Sequence, residues 1–139
     1  MLSKKVFLAP SSFLAFIDRA HPMHEQASAF FRYFGQENYA LYTDYPTILE
    51  VYRVIYTTIS PSLARDFTRT MSITAMNIIH PDEADAKGAL KALNAYQTLD
   101  LTYSNALMAV LTYKRNIQSI CTFEYLHPLF GLTTFYLPI

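Results

Sequence analysis

The sequence predicts an α/β fold: a three-layer α/β/α sandwich around a central, mostly parallel five-stranded sheet. Short β-prone apolar runs alternate with longer amphipathic stretches along the whole chain, the pattern of a parallel sheet covered on both faces by its crossover helices. Turn and cap residues, among them Pro10, His21-Pro22, Gly35, Asp44, Pro61 and Pro81, fall at the junctions between those runs. The 139 residues are 52% apolar and 16% charged, enough to bury one core, and no linker, repeat or low-complexity tract divides them, so 1–139 reads as a single domain.

The first strand is expected from Lys5 to Ala9. Pro10-Ser11-Ser12 stops it and opens a helical stretch from Phe13 to Asp18, with Ser11 and Ser12 expected as its caps and phosphate binding at that helix start as the second reading. His21-Pro22 breaks the chain, and Met23 to Phe34 resumes a helix with Ala27, Phe30, Phe31 and Phe34 on one stripe, which Gly35 is expected to close. Tyr39 to Thr43 is a second strand. Asp44 then suits an N-cap, Pro46 a first turn, and Ile48, Leu49, Val51, Tyr52 and Ile55 a largely buried helix.

Pro61 starts another amphipathic helix through Leu63 to Met71, and Asn77 to His80 supplies a third strand. Pro81-Asp82-Glu83 begins a helix reaching about Tyr96, with acids at its positive end. Ala106 to Tyr113 forms the last helix, and Ser119 to Phe123 and Leu132 to Phe135 the fourth and fifth strands. In such sheets the functional crevice lies beyond the carboxyl ends of the strands, which directs attention to Ala9–Ser12, Thr43–Glu50 and Thr122–Glu124.

Composition narrows the function classes. Lys plus Arg and Asp plus Glu number 11 each, so no overall positive field draws in a nucleic-acid backbone, and Lys4, Lys5, Arg65, Arg69, Lys114 and Arg115 read first as solvated surface. The 11 Tyr and 10 Phe exceed what a small core needs, which suggests rings covering an interface and hence a homo-oligomer. Cys121, the one cysteine, sits in an apolar run as a small buried hydrophobe and can form no intramolecular disulfide. His21, His80 and His127 lack metal-ligand spacing, three glycines make no phosphate cradle, and no serine lies in a Gly-flanked elbow. The apolar run after Lys4-Lys5 ends at Pro10, too short and broken for a signal peptide, and no stretch approaches a membrane span; a cytoplasmic protein is the expectation.

Four strings carry a resemblance. They are Val6-Phe7-Leu8-Ala9-Pro10-Ser11-Ser12-Phe13-Leu14-Ala15; Pro22-Met23-His24-Glu25-Gln26-Ala27 with Thr43-Asp44-Tyr45 leading to Leu49-Glu50-Val51; Asp100-Leu101-Thr102-Tyr103-Ser104-Asn105-Ala106; and Ile120-Cys121-Thr122-Phe123-Glu124. In this order and spacing the chain resembles the PIN domain family of VapC toxin-like ribonucleases, from Val6 to about Phe135. The resemblance implies a four-carboxylate site holding one or two Mg²⁺ or Mn²⁺ ions that activate water against RNA. It places that site at Ala9, Glu50, Asn105 and Glu124.

The first aspartate position is thus Ala9 and the third Asn105, so a nominal charge of minus four falls to minus two. Asn105 still offers a neutral carbonyl ligand, and Glu124 keeps a charge on a longer arm. Asp44 and Asp100 are the candidates to compensate as metal ligands, against an N-cap role for Asp44 and a loop or cap role for Asp100. Glu50 has a plainer alternative, an ion pair with Arg53 on the same helix face. His24 reads as a packing or hydrogen-bonding residue at a helix start. The leading expectation is a PIN-like protein with a degraded metal site, impaired or inactive, retained for RNA or protein binding; the alternative is an active Mg²⁺- or Mn²⁺-dependent endoribonuclease with a rearranged carboxylate set. By the same resemblance, partners would be a second copy in a homodimer, RNA, and a small antitoxin protein.

Overall fold

Strand β1 (Lys5–Leu8) occupies the middle of a five-stranded sheet and sets the position of everything around it. The computed structural model describes residues 4–96, 101–124 and 130–136. β1 pairs in parallel with β2 (Ala40–Asp44) on one side and with β4 (Ser119–Cys121) on the other. Outside these lie β3 (Asn77–Ile79) and β5 (Thr133–Thr134), also parallel, giving the order β3-β2-β1-β4-β5. Chain order reverses its direction of travel across the sheet between β1 and β4. The mouth at their carboxyl ends is therefore the topological switch point where such sheets bind ligands.

Alternation along β1 divides the core in two. Val6 and Leu8 join one cluster with Phe13, Phe34, Val51 and Ile55, residues of the helices α1 (Pro10–Ile17), α2 (His24–Gln36) and α3 (Tyr45–Thr58). Phe7 and Ala9 point the other way, into a cluster with Ala89, Leu107 and Leu111 of α5 (Glu83–Ala95) and α6 (Tyr103–Lys114). Helix α4 (Pro61–Ile73) packs on α3 and buries only Ala64 and Phe67. The result is the α/β/α sandwich read from the sequence, with all strands parallel.

Caps hold the helices where the sequence places them. Asp44 accepts the Thr47 backbone N–H at 2.7 Å, and Ser60 accepts that of Leu63 at 3.0 Å, with Pro46 and Pro61 in the first turns. Asp82 and Asp85 exchange side-chain to backbone bonds in a capping box, and buried Asp85 also receives the Lys114 ammonium, which ties α5 to α6.

Four local expectations are corrected. Gly35 does not close α2, which continues to Gln36; the left-handed turn comes at Asn38 (φ 56°), a residue whose side chain tolerates that region. Ser11 and Ser12 are not caps, because α1 starts at Pro10, three residues ahead of the expected Phe13, with Ala9 at the N-cap, which makes no side-chain cap bond. Helix α6 begins at Tyr103, capped by Thr102, which accepts the Asn105 N–H at 3.2 Å, ahead of the expected Ala106. Helix α3 is buried along one side only, since Leu49 and Tyr52 face outward.

Candidate functional site at the switch point

The ends of β1, β4 and the starts of α1, α3 and α6 converge on one small cleft, because each of these segments leaves the sheet at its carboxyl edge. The cleft, about 130 Å³, is lined by Ala9 and Pro10, by Glu50, by Thr102, Ser104 and Asn105, and by Ile120, Thr122 and Glu124. All four positions that the resemblance singles out, Ala9, Glu50, Asn105 and Glu124, line it together.

Ala9 is 5% exposed and contributes a methyl group. Glu50, half-buried on α3, accepts a hydrogen bond from the Ser104 hydroxyl at 3.1 Å. That contact takes the place of the ion pair with Arg53, which does not form. Asn105 enters from the first turn of α6, and exposed Glu124 follows β4. A second hollow of about 170 Å³ lies across Glu124, with Asp18 and His21 in its wall.

The β4 end of the cleft is held by a short polar relay. The Ser11 hydroxyl bonds that of Thr122 at 3.0 Å and accepts the Phe123 N–H at 2.9 Å, and Thr122 accepts the Glu124 N–H at 3.2 Å. Ser12 donates to the Ala9 carbonyl at 2.6 Å, and Thr43 donates to that of Leu8 at 3.0 Å, so the β1 end is braced from both sides. The serine pair after β1 is thus structural bracing of the crevice.

Asp44 is 2% exposed and its carboxylate is engaged with Thr47; it does not line the cleft. Burial pushes its pKa above the ordinary carboxylate value, the Thr47 bonds oppose this, and the charge of Glu50 adds to it. Asp100 and His127 lie outside the described residues. His24 bonds the Ala15 carbonyl through Nδ1 at 3.0 Å, and His80 stacks on Tyr45 with ring centroids 5.3 Å apart. Cys121 is buried, and burial pushes its thiol up to about 12, which leaves it unreactive.

Mg²⁺ requires several oxygen ligands in near-octahedral geometry. Among the described residues no group of three or more His, Cys, Asp or Glu side chains is placed to hold a metal ion. The cleft offers two carboxylates, one amide and hydroxyls around a methyl and two further apolar walls. That donor set does not fit the group. Thr122 lies in the strand-end segment to which the sequence points, whereas Thr102 and Ser104 were not legible as site residues. Ser104 had one signal, its position beside Asn105, but nothing in the sequence brings it to Glu50 across 54 residues.

A parallel sheet of this order, covered on both faces and with its crevice at the β1–β4 switch point, defines a doubly wound α/β/α fold. Among solved structures the chain is similar to VapC20 of Mycobacterium tuberculosis, a sarcin-ricin loop cleaving toxin, with a TM-score of 0.77 and 16% identity over 86% of this chain and 89% of that one. The VapC-like PIN fold expected from the sequence is therefore the fold of this protein. No protein-family profile matches the chain, and no curated protein does. No helix among the described residues is long and apolar enough to cross a membrane.

Proposed function

We propose that this chain is a VapC-like PIN-fold protein whose crevice no longer assembles a divalent-metal site and that it acts by binding a protein partner. The observation that carries this reading is Ala9. It occupies the end of the central strand, where a carboxylate would sit between Glu50, Asn105 and Glu124, and no other described carboxylate turns in to replace it.

A protein partner is favoured over RNA on charge. A crevice with two carboxylates and no bound cation repels phosphate, so RNA would need a basic surface elsewhere. Of the eleven Lys and Arg residues, Lys4, Arg69, Lys87 and Lys114 are paired with Glu37, Asp66, Glu83 and Asp85, and none of the eleven lines the crevice. A small negative cleft suits a cationic side chain of a partner, which agrees with the antitoxin that the resemblance implies. No chemical step is assigned to the site.

The test is titration of Mn²⁺ into the metal-free protein by calorimetry, repeated on Glu50→Ala and Glu124→Ala. The expected result is no saturable heat at millimolar metal in any of the three. Sub-millimolar binding by the wild type that either variant abolishes would overturn the reading in favour of a metal-dependent nuclease.

A further inference from the structure

Between α1, α2 and α4, on the face of the sheet that carries Val6 and Leu8, lies a hollow of about 360 Å³ that shares no residue with the crevice. Phe13 and Phe16 of α1, Phe31 of α2 and Phe67 of α4 supply its rings, and Leu41 of β2 lies among them. Phe16 sits 4.6 Å from Phe31, and Phe13 meets Phe67 edge-on at 5.8 Å, so the three helices touch through rings. Helix α4 buries only Ala64 and Phe67, which leaves its Leu63 and Met71 partly buried on the wall of the hollow.

Size and chemistry together narrow what fits. An apolar cavity of about 150 Å³ takes up one benzene ring, so this hollow has room for two fused rings with a short arm, at the lower end of ligand sites, which begin near 300 Å³. Phenylalanine edges and methionine sulfur favour an aromatic body over an aliphatic one. The one charged residue that lines the hollow is Asp66. Its Oδ1 takes the Arg69 guanidinium at 2.7 Å, while Oδ2 has no hydrogen-bond partner among the described residues. Arg69 does not line the hollow, and an exposed ion pair of this kind is weak enough to share its carboxylate with a second cation. The faces of the phenylalanine rings attract a cation as well. An anion would meet Asp66 with no Lys or Arg on the walls to offset it.

We infer that the hollow between α1, α2 and α4 is a binding site for a small aromatic amine, its ring system held among the phenylalanines and its ammonium at Asp66. The site binds by shape and charge complementarity and carries out no chemical step. It is independent of what the crevice binds.

Three probes that share one ring system test it: 1-naphthylmethylamine, 1-naphthylmethanol and 1-naphthoate, each titrated into the full ¹⁵N-labelled chain and followed by amide chemical shifts. The amine is expected to saturate with a Kd of around 1 mM or below, what a dozen well-buried atoms supply. It should bind roughly fivefold tighter than the alcohol, the upper range for an exposed charge pair, and the carboxylate weaker than both. The shifts should gather at Phe16, Phe31, Leu41 and Phe67 and leave Glu50 and Asn105 of the acidic crevice unmoved. Asp66→Asn, a change at an exposed position, should bring the amine to the level of the alcohol. Thr70→Trp, which fills the hollow from its exposed rim, should abolish binding of all three with unchanged circular dichroism. No saturation by about 10 mM, equal affinity for the three probes, shifts centred on Glu50 and Asn105, or binding that survives Thr70→Trp would each overturn the proposal. So would an amine that fails to bind while Thr70→Trp abolishes self-association or the binding of an amphipathic helical peptide, because the occupant would then be a protein surface.

Discussion

Returning carboxylates to the crevice tests the site directly. In Ala9→Asp with Asn105→Asp, the four cleft positions hold four acids, and the nominal charge goes from minus two to minus four. Without metal, two like charges brought to about 6 Å repel by on the order of 3 kcal/mol at an effective dielectric of about 20, before protonation or relaxation relieves it. The double variant should therefore melt well below wild type at neutral pH. Mn²⁺ at about a hundred times its dissociation constant returns roughly 2.7 kcal/mol, or near 10 °C in a domain of this size. Thermal melts with and without Mn²⁺, followed by calorimetric titration, measure both terms. The expected pattern is a large metal-dependent rise for the double variant and almost none for wild type. An equal rise in wild type would show that the native crevice already holds a metal; a folded double variant indifferent to Mn²⁺ would show that Ala9 and Asn105 are not ligand positions.

Asp44→Ala removes the α3 cap and should cost about 1 kcal/mol in denaturant melts, whereas Asp44→Asn keeps an acceptor for Thr47 and should match or exceed wild type at pH 7. The sign follows from burial: a carboxyl raised above its unfolded pKa is penalised in its charged form above that range, so the gap between Asn and Asp should close as pH falls. Asp85 behaves oppositely. The Lys114 hydrogen bond holds it below its ordinary value, so its stabilisation is present at neutral pH and is lost as pH drops below about 4. Asp85→Asn should be less stable than wild type at pH 7, and the difference should shrink in acid; a constant difference would refute the assignment. Ser11→Ala leaves the Phe123 N–H without its acceptor and should cost about 1–3 kcal/mol, read as a lower melting temperature.

Most of the fold was legible because its signals are local. Every strand appears within about two residues of where its apolar run lies; Asp44 and Asp82 start helices through bonds to the residue three positions on, and Pro61 stands in the first turn of its helix. The misreadings arose where tertiary placement decides. Leu49 and Tyr52 belong to the apolar periodicity of α3, but periodicity cannot say whether a second apolar face meets the sheet or solvent. Ser11 and Ser12 have the chemistry of caps, and only the closeness of β4 turns Ser11 toward Thr122 and Phe123. The four crevice positions could be found from strings at the strand ends. The partner of Glu50 could not, because Ser104 reaches it only once α6 is seated against α3.

The crevice and the sheet make separate demands on the sequence, which is why one can change while the other persists. Val6, Phe7 and Leu8 fill both cores and fix β1, but position 9 stands past the last strand residue, where the backbone bond from its N–H to Cys121 and the bond from Ser12 to its carbonyl do the structural service. Any small side chain leaves both bonds in place. A methyl there relieves the repulsion that clustered carboxylates impose on a metal-free protein, so the exchange favours folding while it weakens cation binding. Asn105 is similar, since the bond that seats the first turn of α6 is made by its backbone N–H to Thr102. The Ser11 relay and the Glu50–Ser104 contact likewise use neither the Ala9 nor the Asn105 side chain, so exchanging those two side chains for carboxylates changes the charge of the crevice and leaves these bonds in place. On the function proposed above, this small, mildly acidic cleft at the carboxyl edge of the sheet grips a partner's side chain rather than positioning a metal-bound water.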